Sequence, residues 1–372
     1  MAFVLIITGV LYCVIASLIA LRLHRLNGRK YPQQQWQPLV SVIVAVRNEV
    51  PVLTHCLQSL ADLDYPADKL QILIVNDDSR DASGAHIDAF CRAHPQMQAI
   101  HLTRDEKKLP GKAGAVLRAM DQATGEVIFL TDADCRVPPA WIHSLLGAFS
   151  PHTGLVGGFT VLRALETPNR TFDDIQTLDW LFLLGIAAVA MDMNKPLSWM
   201  GNNMAFRRSA YEAVGGYPAL GHSLIEDFTL LDAISRRSNY SVAVQPDQAA
   251  VVVSTPVPSL SLLYQQRRRW AMGIQPVRPL GKLLMLSSTI MHGLLLAGLF
   301  LAPWVSGLFA MGKIASDYQI VRIMAGHTNT RISPGAFIAF EWFYGLYSLI
   351  IPFSLLFDRR IKWKDQDFSV HG

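Results

Sequence analysis

The stretch Val127-Ile128-Phe129-Leu130-Thr131-Asp132-Ala133-Asp134-Cys135 decides the reading of the fold. Its apolar run predicts a β-strand that carries a pair of carboxylates to its C-terminal end. Where the strand gives way to a turn, both carboxylates can swing towards one divalent cation and the group it holds. An Asp-x-Asp alone reads equally well as a solvated loop, so its meaning depends on what surrounds it.

Towards the N-terminus, Leu39-Val40-Ser41-Val42-Ile43-Val44-Ala45-Val46 is the pattern of a strand buried on both faces. Arg47-Asn48-Glu49 ends it, and Val52, Leu53, Cys56, Leu57 and Leu60 come next at helical spacing. A second strand, Leu70 to Val75, ends in Asn76-Asp77-Asp78-Ser79-Arg80-Asp81 and is followed by a helix around Ser83 to His94. A third strand, Ala99 to Leu102, leads to the basic loop Lys107-Lys108-Leu109-Pro110-Gly111-Lys112. The helix from Ala113 to Ala123 then feeds the strand that ends at Asp132. Strands alternating with helices predict a doubly wound, Rossmann-like and mostly parallel α/β sheet. Ligands bind beyond the carboxyl ends of such strands, where Asn48, Asp77, Asp132 and Asp134 all fall.

That edge would repel an anion unless a cation or basic side chains compensate. Lys112, at a helix start preceded by glycine, is one compensator, since helix N-termini also favour negative charge. The combination suggests a metal-chelated diphosphate. Neither G-x-x-x-x-G-K-[ST] nor a G-x-G-x-x-G after a strand occurs, which argues against a P-loop or dinucleotide enzyme.

The 372 residues are 51% hydrophobic and 17% charged, more apolar than a typical soluble protein. The excess is concentrated. Ala2 to Leu23 is almost wholly apolar, with Arg22, His24, Arg25, Arg29 and Lys30 around its end, and predicts a retained transmembrane anchor over 1–23. The positive-inside rule puts residue 24 onward in the cytoplasm. A second apolar zone, Leu283 to about Met311, contains Pro303 and reads as a kinked helix or two segments. A third, Ala336 to Phe357, is closed by Arg359, Arg360, Lys362 and Lys364. The charges favour two spans over three in the region 283–357, with 358–372 as a basic cytoplasmic tail. Residues 38–275 remain as the one piece large enough for a globular domain. Cys13, Cys56, Cys91 and Cys135 support neither a disulfide framework nor a zinc site. The net charge of +4 comes largely from juxtamembrane clusters, which suits a phospholipid bilayer and not nucleic acid. Leu178 to Met191 is too short to span and reads as a core helix by default, with a helix dipping into the membrane as the alternative.

Further along come Gly201-Asn202-Asn203, Glu226-Asp227 and Gln266-Arg267-Arg268-Arg269-Trp270. The succession of N-terminal strand, Val-Asn-Asp-Asp-Ser-Arg-Asp, Gly-Lys-Ala-Gly-Ala, Asp-Ala-Asp, Gly-Asn-Asn, Glu-Asp and Gln-x-x-Arg-Trp resembles glycosyltransferase family 2 over about residues 40 to 272. It is most similar to the membrane-anchored branch that includes ceramide and carotenoid glucosyltransferases and several polysaccharide synthases. Each motif alone is modest; their order is specific.

The resemblance implies a GT-A fold and transfer, with inversion, from a nucleotide-sugar that is usually UDP-linked. It implies a Mg2+ or Mn2+ ion on Asp134, with Asp132 sharing the metal or holding the ribose. Asn48, Glu49, Asp77 and Lys112 fall on the nucleotide-sugar side, where many family members have Asp and Gly at the positions of Asn76 and Asp78. Asp227 is the expected base, with Glu226 positioning it or contacting a hydroxyl. Gly201, Asn202 and Asn203 are expected to line the acceptor side. Gln266 and Arg269 are expected to meet the donor diphosphate, and Trp270 to stack by the acceptor, on an interfacial helix over 258–275. Arg267 and Arg268 would face phospholipid. The expectation is a transferase of a bacterial-type inner membrane, moving a sugar from a UDP-sugar donor to a hydroxyl of a membrane lipid acceptor on the cytoplasmic side. The sequence leaves two alternatives open, a processive polysaccharide synthase and a non-catalytic sugar-nucleotide-binding membrane subunit.

Overall fold

The computed structural model describes residues 2–31, 36–164, 170–273, 279–357, 360–363 and 366–369. The first half alternates strand and helix after a long N-terminal helix: α1 (Ala2–Asn27), β1 (Val40–Val46), α2 (Val50–Ala61), β2 (Leu70–Asp77), α3 (Ser83–Ala93), β3 (Met97–Leu102), α4 (Gly111–Met120), β4 (Val127–Asp132) and α5 (Trp141–Gly147). The second half is less regular, with β5 (Thr153–Gly158), β6 (Thr160–Leu162), α6 (Arg170–Asp192), β7 (Met204–Arg207), α7 (Arg208–Ala213), α8 (Gly216–Leu220), α9 (Glu226–Arg237), β8 (Ser241–Gln245), β9 (Val252–Ser254) and α10 (Leu260–Met272). Three helices complete it: α11 (Pro279–Leu301), α12 (Pro303–His327) and α13 (Pro334–Phe357).

Seven strands form one sheet in the order β3-β2-β1-β4-β7-β5-β8, and β6 pairs with β9 separately. The neighbours β3, β2, β1 and β4 run parallel, and β7 is antiparallel to both β4 and β5. In register, Val40 faces Leu70 on one side and Val127 on the other. Order reverses at β1, so the crevice beyond the carboxyl ends of β1 and β4 is the natural ligand position.

Alternate residues of β1 enter different cores. Val40, Val42, Val44 and Val46 meet Leu53, Leu57 and Leu60 of α2 and Trp141 and Leu145 of α5. Ile43, with Leu73 and Val75, meets Ala115 and Val116 of α4 in a core that continues through Phe182 of α6 to Leu23 of α1, Met324 of α12 and Phe340 of α13. One face of the sheet is therefore continuous with the long apolar helices.

Those helices carry large apolar side chains outward, among them Phe3 and Leu18 on α1, Phe300 on α11, Trp304 on α12 and Trp342 on α13. Exposed apolar surface of this extent marks a face made for contact with a membrane or another apolar partner. Helices over Ala2–Leu26, Arg170–Asp192, Gly281–Leu301 and Pro334–Leu355 are long and apolar enough to cross a bilayer. Buried charges among the helices are paired: Lys313 lies 2.8 Å from Asp317 and 2.5 Å from Glu341, and Tyr12 donates to Asp317 at 2.7 Å.

Of the two readings left open for the apolar zone from Leu283 to about Met311, the helices take two segments and not one kinked helix, because Pro303 begins α12 and the helical run breaks at Ala302. The core helix expected over Leu178–Met191 extends to 23 residues, long enough to span, yet 78% of its apolar window is buried within the protein. In the region of the expected basic tail, Arg360–Trp363 and Gln366–Ser369 pair as an antiparallel hairpin, while 358, 359, 364, 365 and 370–372 lie outside the described residues.

Candidate active site

The turn after β1 passes through Asn48, whose φ of +54° is a conformation that asparagine tolerates better than most residues. Asn48 Oδ1 accepts from the N–H of Arg80 at 2.8 Å, and Ser79 Oγ accepts from the N–H of Asn48 at 3.1 Å. The N–H of Glu49 donates to Ser83 Oγ at 3.0 Å. These contacts tie the ends of β1 and β2 together and define one wall of the crevice. Asp81 accepts from the N–H of Ser83 at 3.0 Å and shapes the same turn. Asp77, buried at the end of β2, is ion-paired with Lys107.

Lys112 stands in the first turn of α4, after Gly111 with a φ of +69° that favours glycine. Its Nζ lies 2.8 Å from Asp132 Oδ1 and 3.4 Å from Asp227 Oδ2. One ammonium thus joins the end of β4 to the start of α9, elements far apart in sequence. Burial opposes its charge, but Asp132, Asp227 and Glu226 outweigh that effect and hold Lys112 above the ordinary lysine range.

Glu226 and Asp227 occupy the first turn of α9, where the helix dipole favours carboxylates. Asp227 Oδ2 accepts from the N–H of Gly201 at 3.0 Å. A Cβ on residue 201 would lie 1.9 Å from Asp227 Cγ, so only glycine leaves the carboxylate where it is. Burial raises Glu226 to about 7, the Asp227 charge adds to this, and Lys112 and Arg269 oppose it. Asp227 is also raised, by burial first, with Lys112 opposing and Asp132 adding.

Asp134 has a different neighbourhood. Its Oδ2 accepts from Ser254 Oγ of β9 at 2.9 Å. Among the described residues no three His, Cys, Asp or Glu side chains converge in a way that could hold a metal ion. The donor set at the strand end, two carboxylates without imidazole or thiolate, suits a hard cation that takes its remaining oxygens from a bound phosphate.

Helix α10 closes the far side. Arg269 Nη1 donates to the carbonyl of Leu224 at 3.1 Å, just before α9. Gln266 Oε1 accepts from Arg267 Nη1 at 2.8 Å. The Trp270 ring lies 5.9 Å from that of Trp180, and the Arg267 guanidinium lies 4.2 Å above it. Leu260, Leu262 and Tyr264 on the preceding turn are exposed, as an interfacial helix requires.

Three sequence expectations are corrected. Asn202 and Asn203 are buried and do not line an acceptor surface. Asn203 accepts from Trp141 Nε1 at 2.8 Å and donates to the carbonyls of Phe159 and Ala250 at 2.7 and 2.8 Å. Asn202 Oδ1 accepts from Thr160 at 3.0 Å. Their amides lock strands together, and Gly201 alone of the three touches the carboxylate site. Arg267 does not face phospholipid: it is 5% exposed and ion-paired with Asp179 of α6. The sequence placed Lys107 in a basic loop without a site role, and gave none to Ser254 or Asp179. Of these, Asp179 offered a signal, a lone carboxylate inside the apolar run Leu178 to Met191.

The chain thus has a mostly parallel Rossmann-like sheet of GT-A type, with carboxylates and a lysine gathered at its carboxyl edge and long apolar helices joined to it. The sequence model of glycosyl transferase family 21 matches residues 1–372, and the chain belongs to that family. The motif order resembles family 2, whereas the family shown is 21. The chain is 29% identical over 245 residues to the "Probable glycosyltransferase YdaM" of Bacillus subtilis, covering 64% of this chain and 56% of the relative. It is 27% identical over 246 residues to a "Beta-monoglucosyldiacylglycerol synthase" of Synechocystis, covering 63% and 48%. The chain thus spans about half the length of the curated relatives it matches. Among solved structures it is similar to the mannosyltransferase PcManGT of Pyrobaculum calidifontis, with a TM-score of 0.62, 20% identity, and 96% of this chain and 99% of that chain covered. That likeness shows the fold.

Proposed function

We propose that the protein transfers a sugar, with inversion, from a nucleotide-diphosphate sugar to a hydroxyl of a membrane lipid, as a member of the membrane-anchored Gln-x-x-Arg-Trp branch. The observation that carries this reading is the Lys112 bridge between Asp132 and Asp227, which brings a donor-side carboxylate and a candidate base to one ammonium. Membership of family 21 supports glycosyl transfer. A relative named as a glucosyldiacylglycerol synthase supports a lipid acceptor, as does a core shared between the sheet and the apolar helices.

In this reading Asn48, Glu49 and Asp77 bind the nucleoside end of the donor at the β1 and β2 edge. The donor is proposed to be UDP-linked, the usual donor of the branch it resembles. Asp132 and Asp134 would hold a Mg2+ or Mn2+ ion together with diphosphate oxygens. When bound, that ion neutralises charge growing on the leaving diphosphate. Lys112, Gln266 and Arg269 add positive charge and N–H donors to the same group.

Asp227 takes the proton from the acceptor hydroxyl. The Gly201 N–H orients its carboxylate, and its raised affinity for a proton favours general-base work. Glu226 beside it holds an acceptor hydroxyl, and Trp270 offers a stacking face. The lipid acceptor arrives along the exposed apolar faces, and the donor arrives from the cytoplasmic side.

The test is incubation of the purified full chain with separate UDP-sugars and a total lipid extract, followed by mass spectrometry of the lipids. A single-hexose or single-acetamidohexose increase on one lipid class is expected. A ladder of polymer, or no sugar-bearing lipid with any donor, would overturn the proposal.

A further inference from the structure

A buried ion pair beneath α10 ties the helix that carries Gln266, Arg269 and Trp270 to the apolar helices α6 and α13. Asp179 is fully buried on α6, within the run Leu178-Asp179-Trp180. Arg267 of α10 addresses its Oδ2 with both Nε, at 3.1 Å, and Nη2. Tyr347 of α13 donates to the other oxygen, Oδ1, at 2.6 Å. The carboxylate is therefore gripped from two further helices and has no rotational freedom left.

The rest of the Arg267 guanidinium gives the pair a purpose. Nη1 donates to Gln266 Oε1 at 2.8 Å, and the guanidinium carbon lies 4.2 Å from the Trp270 ring centroid. Trp180, next to Asp179 on α6, lies 5.9 Å from the same ring and donates from its own Nε1 to the carbonyl of Thr160 at 2.8 Å. One planar cation, fixed by one carboxylate, thus sets both the amide of Gln266 and the ring of Trp270. A guanidinium can do this because its donors lie in a rigid plane that also stacks on aromatic faces; an ammonium cannot do all three at once.

We propose that Asp179 and Arg267 are positioning residues: through their ion pair, steadied by Tyr347, they fix Gln266 and Trp270 of α10 against the donor and acceptor. This rests on the transferase reading above. The pair also makes the apolar helix α13 part of the active-site support, since Tyr347 joins it through Asp179 of α6 to Arg267 on the helix that carries Gln266, Arg269 and Trp270.

The experiment compares steady-state transfer and melting temperature in the detergent-solubilised full chain. Arg267→Lys keeps the buried charge opposite Asp179 but gives up the fork and the stack. It is expected to melt near the wild type and to lose about tenfold or more in kcat/KM, the scale of a small misplacement of reacting groups. Tyr347→Phe, which removes a single hydroxyl, should lose rate in the same direction by a smaller factor. Because Arg267→Lys has already released Gln266, adding Gln266→Ala to it should cost far less than Gln266→Ala costs the wild type.

Full kcat/KM in Arg267→Lys, or independent multiplication of the two losses, would overturn the positioning role. A wild type that makes no glycolipid with any donor would instead overturn the transferase reading, and this inference with it. An active wild type with indifferent Arg267 and Tyr347 variants would overturn this inference alone.

Discussion

The backbone N–H of Gly201 points at Asp227 Oδ2 from 3.0 Å, in a space where a methyl group would lie 1.9 Å from the carboxyl carbon. Gly201→Ala must therefore push Asp227 away from Lys112 and from the acceptor. A loss of about a hundredfold or more in kcat is expected, the cost of misplacing a base, with the UDP affinity of the β1 and β2 wall retained. Calorimetric UDP binding alongside turnover checks this; wild-type turnover would show that the Gly201 contact is dispensable.

The Glu226–Asp227 pair predicts an acid limb in the rate profile. A base works deprotonated, and burial raises Asp227 as well as Glu226, the latter to about 7. Transfer should therefore decline as pH falls into the range where Asp227 takes up its proton, a range raised above the ordinary aspartate value of 3.8. Glu226→Gln removes a negative neighbour and should move the limb to lower pH. Lys112→Met removes a positive neighbour that lies 3.4 Å from Asp227 and should move it to higher pH. A profile of kcat/KM against pH for the three proteins separates these opposite signs. The folding sign comes from the same shift. The stabilisation from a protonated Glu226 is present below its ordinary 4.5 and lost as pH rises through about 7, so Glu226→Gln should melt higher than the wild type only on the alkaline side.

Asn203 separates structural from acceptor-side roles. Asn203→Ala leaves Trp141 Nε1 and the carbonyl of Ala250 without their side-chain partner in the core, while the carbonyl of Phe159 keeps the N–H of Val252. Each unsatisfied buried group costs about 1–3 kcal/mol. The expected outcome is a clear drop in melting temperature, with acceptor KM unchanged in the protein that remains folded. A selective rise in acceptor KM without loss of stability would restore the acceptor-side assignment.

Removal of divalent cations tests the strand-end carboxylates. Chelation should abolish transfer, and either Mg2+ or Mn2+ should restore it. Asp134→Ala should raise the concentration of cation required, because the two carboxylates supply only part of the coordination sphere. Undiminished transfer in excess chelator would remove the metal from the account.

Much of the sheet was legible because β1, β2 and β4 are largely buried and read as near-continuous apolar runs. Their carboxyl ends carried the polar residues Asn48, Asp77 and Asp132 into view. The antiparallel β7, wedged between β4 and β5, is only four residues long, too short for periodicity to register. Asn203 shows the limit of motif reading, since Gly-Asn-Asn looks identical whether its amides face a ligand or, as here, Trp141 and two carbonyls. Arg267 shows another limit: three successive arginines look like a solvated face, and only the fold brings Asp179 beneath one of them. The break at Pro303 was written in the sequence, but choosing between a kink and two helices required the packing of α12 against α1 and α11.

The most direct test of the central claim is a paired measurement on Asp227→Asn, in which UDP-sugar affinity and glycolipid formation are read from the same preparation. The account predicts donor affinity within about threefold of the wild type and transfer reduced by about a hundredfold or more, the usual reach of a general base. Transfer at the wild-type rate would contradict it.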